Sequence, residues 1–186
     1  MGRLSKIEAD LVESQINGKV IFSILPIAFL TYVFHEFGHW TLGEAFGNEM
    51  MMTLNSSYPR NGRFVDKTGE LWSAIGGPMF TIIQALLFML ITWKTKSIIG
   101  YTVVFFAAFS RFFSLVFGGL ARQDEAGIAR LLGVSEYLVA SAVLTILLLI
   151  LWRCHRMMKL DGKALGYFTV LGVSAILVVI GVYSVI

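Results

Sequence analysis

Charge is what this chain has least of. Only 15% of its 186 residues are Asp, Glu, Lys or Arg, against about 25% in soluble domains. Hydrophobic residues make up 56%. That balance excludes an ordinary water-soluble globule. Cys154 is the single cysteine, so no internal disulfide can form. No removable leader is legible: residues 1–18 are too polar for one, and no small-residue cleavage site follows the first apolar run. Lys6 stands where a myristoylation signal after Met1-Gly2 needs Ser or Thr. The net charge is only +3, and Lys and Arg gather at the ends of apolar runs. That is a pattern of membrane topology, not of nucleic-acid binding.

What is present is a set of long apolar runs, at about 20–42, 71–93, 97–119, 135–152 and 165–183. At a rise of about 1.5 Å per residue, such helices span the ~30 Å hydrocarbon layer of a bilayer. The expected fold is an all-α membrane protein, a bundle of about five transmembrane helices forming one domain over 1–186. Residues 3–17 place Leu4, Ile7, Leu11, Val12 and Ile16 among charges. The spacing suits a short amphipathic helix on the membrane surface, with a loosely ordered tail as the alternative. Pro26 is expected to kink the first span. Residues 43–70 form the longest polar connection, where Asn61-Gly62 is a hairpin turn signal between Met50–Ser57 and Gly62–Val65. We expect a small β-hairpin near the mouth of the site, its edge open to an extended substrate backbone. A plain surface loop is the alternative. Asn55-Ser56-Ser57 fits the glycosylation sequon, a motif frequent by chance.

Within the first run stands His35-Glu36-Phe37-Gly38-His39, an H-E-x-x-H pattern. Residues four apart share one helix face, so His35 and His39 can hold one zinc ion with Glu36 beside the bound water. Zinc lowers the pKa of its water from about 15.7 to about 7, and a carboxylate that is not a ligand can then move the proton. Chance would be a fair explanation in a soluble helix. Inside an apolar span, two His and a Glu are expensive and are kept for function.

A catalytic zinc site wants three protein ligands. Five spans alternate sides, so the end of span one, Gly76-Gly77-Pro78 at the start of span two, and the loop after span three share one face. His155, after span four, falls on the other. Glu44 is out of phase with His35 on the same helix. Asp124 is the first choice for the third ligand and Glu125 the second, followed by Glu49, Glu70 and Asp66. Asp124 also suits the N-cap of a short helix ending at Gly133. The Gly-Gly-Pro stretch could line the cleft or simply pack helices. Arg111 lies inside span three and needs a partner: an acidic residue of the site, an oxyanion, or water reached by snorkelling. Nine Lys and Arg fall on the N-terminal side of the bundle and five on the other, which places the N-terminus in the cytoplasm.

These residues resemble the site-two protease family of membrane-embedded zinc metalloproteases. The likeness rests on the H-E-x-x-H in a span, on Gly77-Pro78 in the next, and on an Asp in a later segment. It implies cleavage of a peptide bond in or near the membrane of a cell, in a membrane-associated protein or peptide. It implies His35, His39 and Asp124 as zinc ligands and Glu36 as general base. The chain departs from the family in having no Asn or Pro before Asp124, Glu125 in place of Gly, and no PDZ-like insertion. It resembles a minimal, divergent member. Two other readings are a non-catalytic membrane protein that keeps zinc for structure or partner binding, and a small metal transporter. Spans four and five offer a transporter only Ser, Thr and Tyr.

Overall fold

A computed structural model describes residues 3–185. Seven α-helices are formed among them: α1 (Arg3–Glu13), α2 (Gly18–Ala45), α3 (Lys67–Thr95), α4 (Ile98–Phe113), α5 (Asp124–Leu132), α6 (Glu136–Met158) and α7 (Gly162–Tyr183). Five of them, α2, α3, α4 together with the turn that continues it to Gly118, α6 and α7, are long and apolar enough to cross a membrane. The chain is an all-α, multi-pass membrane protein. Its outer surface agrees: Phe22, Leu30, Leu87, Trp93, Leu149, Trp152, Val170 and Leu177 are exposed. So much apolar surface is stable only against lipid or another apolar partner.

The helix starts follow local chemistry. Asn17, Asp66, Ser97 and Asp161 each turn a side-chain oxygen to a free backbone N–H in the first turn of α2, α3, α4 and α7. Pro26 and Pro78 lie within continuous helix. The Gly-Gly-Pro stretch therefore neither opens nor breaks α3, which begins at Lys67. Neighbouring helices supply the packing that keeps such a proline tolerable in a span.

α4 is the central helix. Every residue from Gly100 to Ala108 is buried. Tyr101, Phe105 and Phe168 form one aromatic cluster along its N-terminal half, with Tyr101 and Phe168 edge-on at 5.0 Å. α1 is the amphipathic helix expected from the sequence, with Leu11 packed on the core and Asp10 paired with Lys163 of α7 at 2.8 Å.

A small hairpin follows α2. Its strands, β1 (Met50–Met52) and β2 (Ser57–Pro59), pair antiparallel with Met51 opposite Tyr58. The hairpin was expected, but its register was not. Tyr58 and Pro59 belong to the second strand, and the connecting turn is closed by Thr53 N–H donating to the Ser56 carbonyl at 2.8 Å. Asn61-Gly62 makes the next turn instead, with Gly62 at φ +72°. Turn chemistry at Asn-Gly was real, but pairing was decided by where β1 leaves α2.

α2 and α3 approach most closely at Gly38 and Gly76. A Cβ at Gly38 would lie 2.7 Å from the Gly76 carbonyl carbon and 2.8 Å from Phe80 Cβ. Both positions need glycine because backbone meets backbone. Gly38→Ala is expected to cost about 1–3 kcal/mol, seen as a lowered thermal midpoint in detergent. Gly166→Ala, with nothing within 4 Å of its new Cβ, should leave the midpoint unchanged or raised.

Candidate metal centre

Gly38 and Gly76 bring the histidine face of α2 against α3. The side chains of His35 and His39 meet at Gly77, where a Cβ would lie 2.6 Å from His35 Nε2 and closer still to His39 Nε2. The two neighbouring glycines thus have different tasks. Gly76 admits a backbone; Gly77 admits two imidazole nitrogens.

Ser73, Gly77 and Thr81 follow one another at four-residue intervals, so they share one face of α3. The flanking pair orients the rings. His39 Nδ1 lies 2.7 Å from the Ser73 carbonyl and must donate to it. His35 Nδ1 lies 2.9 Å from Thr81 Oγ1. Thr81 gives its own proton to the Gly77 carbonyl at 3.0 Å, so it accepts from His35. These bonds place both ring protons on Nδ1 and turn both Nε2 lone pairs to the centre, where Arg111 Nη2 also lies 3.3 Å from His35 Nε2 and 3.2 Å from its Nδ1. Metal-ligating histidines are held in this way by partners on the far nitrogen.

Asp124 arrives from beyond α4. The last turn of α4 widens into a π-turn over Ser114–Gly118. Gly119, at φ +83°, then redirects the chain, and one 3-10 turn, Leu120–Arg122, delivers the start of α5. π-turns are frequent at functional sites because they re-aim a segment without ending it. Asp124 is the first residue of α5; Gln123 is its N-cap residue and makes no side-chain cap bond. Asp124 therefore does not cap the helix. Its carboxylate reaches the histidines instead, Oδ2 lying 3.0 Å from His35 Nε2 and Oδ1 3.5 Å from His39 Nε2. The two Nε2 atoms are 3.1 Å apart.

Three electron-pair donors converge with no proton of their own to share. Donors at about 2.0–2.1 Å from a tetrahedral zinc would stand about 3.3 Å from one another, close to the separations found. Charge points the same way. Glu125 is fully buried and faces Arg111, with Oε2 3.4 Å from Nη1. That pair is neutral as a whole. Asp124 and Glu36 remain, two carboxylates with no cation of their own beyond a shared edge of Arg111, whose Nη2 is 3.5 Å from Asp124 Oδ2. The donor set and the missing charge both suit a divalent cation of borderline softness.

Two cavities meet here. One, of about 300 Å³, is walled by Tyr32, Arg111, Gln123 and Tyr183 together with His35. The other, of about 350 Å³, opens beside the hairpin along His39, Ser57 and Glu70. Glu36, Asn55 and Asp124 line both, so the cluster and Glu36 form the partition between them. Ser57 Oγ donates to the Glu36 carbonyl at 2.8 Å, which ties the hairpin to the site.

The other expected ligands are elsewhere. Glu125 turns away to Arg111. Asp66 caps α3 through Gly69 N–H at 2.7 Å. Glu44 accepts from Met50 N–H at 2.7 Å, Glu49 lies beside Arg60, and Glu70 stays in the outer cavity wall. His155 is bonded to Tyr101 Oη at 3.0 Å, far along the core. Arg111 is paired, not snorkelled: it is 7% exposed and also donates to Gln123 Oε1 at 3.4 Å. The sequence reading missed Ser73, Thr81 and Tyr183. The first two were legible as polar residues in phase with Gly77; nothing local marked the third.

Comparison with protein-family models, with curated proteins and with solved structures finds no match.

Arg111→Met leaves Glu125 charged and alone in the interior. It should cost about 3–5 kcal/mol, whereas the double variant Arg111→Met/Glu125→Leu should recover a large part of that. Thermal unfolding of the purified protein measures both.

Proposed function

We propose that this chain is a membrane-embedded zinc metallopeptidase of the site-two protease kind. It hydrolyses a peptide bond in a membrane-associated protein or peptide. The observation that carries the reading is the meeting of His35 Nε2, His39 Nε2 and the Asp124 carboxylate, with both ring protons committed elsewhere. His35, His39 and Asp124 hold the ion. When bound, zinc supplies a Lewis acid that activates water and polarises a carbonyl.

The protein's own groups do the rest. Glu36 takes a proton from the attacking water and returns it to the departing amide nitrogen. The two cavities give the chain on either side of the scissile bond a place to lie. The substrate must be extended there, since a helical carbonyl is shielded by its own hydrogen bond. The hairpin beside the outer cavity offers an edge for such a segment.

The excess of Lys and Arg at the opposite end of the bundle supports an N-terminus in the cytoplasm and a site near the outer face of a cell membrane. A purely structural zinc site is closed by four protein ligands. Three ligands with a cavity on each side favour catalysis over that alternative. Transport would need a polar path toward His155. Val104, Phe105 and Phe106 fill that interior and are buried, which favours peptidase over carrier.

Purified wild type should hold about one zinc per chain, and His35→Ala, His39→Ala and Asp124→Ala should lose it while Glu125→Gln, which leaves Arg111 a hydrogen-bond partner, keeps it. Glu36→Gln should keep zinc and lose about 10²-fold or more of peptide cleavage. Metal analysis and cleavage of a membrane-protein substrate mixture test both. Zinc-loaded wild type that cleaves nothing, with Glu36→Gln indistinguishable from it, returns the site to a structural role.

A further inference from the structure

Buried polar atoms in folded proteins are nearly always paired, and each one left alone costs about 1–3 kcal/mol. Among the described residues, five buried side-chain atoms have no partner: Ser14 Oγ, Gln84 Oε1, Thr92 Oγ1, Glu125 Oε1 and Tyr183 Oη. Of these residues, only Tyr183 lines the cavity that also holds His35, Glu36 and Asp124. A phenol both donates and accepts, so its isolation beside a reaction centre is unlike that of a carbonyl oxygen in packed core.

The ring is packed against two aromatic neighbours. It stands edge-on to Phe29 at 6.0 Å and to Tyr32 at 6.2 Å, each with an interplanar angle of 86°. Packing, not a hydrogen bond, fixes where the hydroxyl lies. Three other donors of that wall, Arg111, Thr81 and Ser110, are already engaged. Arg111 is shared among Glu125, Gln123, Asp124 and the His35 ring. Thr81 donates to Gly77 and Ser110 to Ala107. An unpaired donor held in place beside the reacting centre is the arrangement that stabilises charge appearing only in the transition state.

We propose that Tyr183 is a catalytic residue whose hydroxyl donates a hydrogen bond to the oxyanion formed on the scissile carbonyl. The proposal rests on the metallopeptidase reading above and extends the site to the last helix. As the water oxygen bonds to the carbonyl carbon, the C=O π pair moves onto oxygen and one water proton passes to Glu36. Tyr183 keeps its own proton and holds the new negative charge. On collapse the C=O bond re-forms, the C–N bond breaks, and the nitrogen takes the proton from Glu36.

The test compares Tyr183→Phe with wild type and with Tyr32→Phe, in the full chain in detergent. Zinc content, thermal midpoint, kcat and KM are measured on a peptide that wild type cleaves. Binding of a phosphinic pseudo-peptide, which mimics the tetrahedral oxyanion, is measured beside binding of a planar hydroxamate. For Tyr183→Phe, zinc content, midpoint, KM and hydroxamate affinity should be unchanged. Its kcat should fall by roughly 10²-fold, with phosphinate affinity falling alongside. Tyr32→Phe, which removes the other phenol of that wall, should lose less kcat than Tyr183→Phe and keep its phosphinate affinity. The proposal is overturned if Tyr183→Phe keeps kcat and phosphinate affinity. It is also overturned if its losses follow a lowered midpoint or lost zinc, or if Tyr32→Phe shows the oxyanion phenotype instead. Should wild type bind zinc and phosphinate yet cleave no peptide, the metallopeptidase reading fails first and Tyr183 falls with it.

Discussion

Two backbones touch in this protein, and the site exists because they do. At Gly38 and Gly76 the α2 and α3 main chains come within side-chain distance of each other. No hydrophobic force between helices acts in lipid, so close van der Waals contact has to hold a pair together. The same contact sets His35 and His39 over Gly77, and it puts the Ser73 carbonyl and Thr81 hydroxyl on the outer nitrogens of the two rings. Any larger residue at Gly77 would occupy the space where the two Nε2 atoms face one another. Helix packing and ligand geometry are thus one constraint.

The second constraint is charge. Arg111 sits in the central helix, out of reach of bulk water, and Glu125 is buried against it. The pair anchors the segment after α4. Asp124 is next to Glu125 on the first turn of α5, so fixing one carboxylate beneath Arg111 turns its neighbour toward the histidines. Neighbouring helix positions point about 100° apart, which lets one acidic pair serve two destinations. The π-turn at Ser114–Gly118 and the left-handed Gly119 aim the chain there.

Much of this could be read from residue order. The five spans followed from apolar length, and the histidine pair from its four-residue spacing. Asp124 followed from asking which carboxylates reach the correct side of the bilayer. The choice between Asp124 and Glu125 could not, because adjacent residues share every feature of topology and differ only in direction. The hairpin was legible as a hairpin and misplaced in register: Asn61-Gly62 is a true turn, but strand pairing at Met51 and Tyr58 depends on how β1 leaves α2. Capping at Asp124 failed for a related reason. A carboxylate that suits an N-cap is drawn away when two imidazoles offer it more.

Sequence alone determined what could cross a membrane and which side chains could bind a cation, since span length and ligand chemistry are properties of short segments. Tertiary structure decided which of those side chains meet, that Arg111 is neutralised by Glu125, and that Tyr183 from the last helix stands in the wall beside Glu36. Those are contacts between residues distant in the chain, set by the rotation of each helix about its axis. No local pattern encodes that rotation; the packing of the other four spans around α4 fixes it.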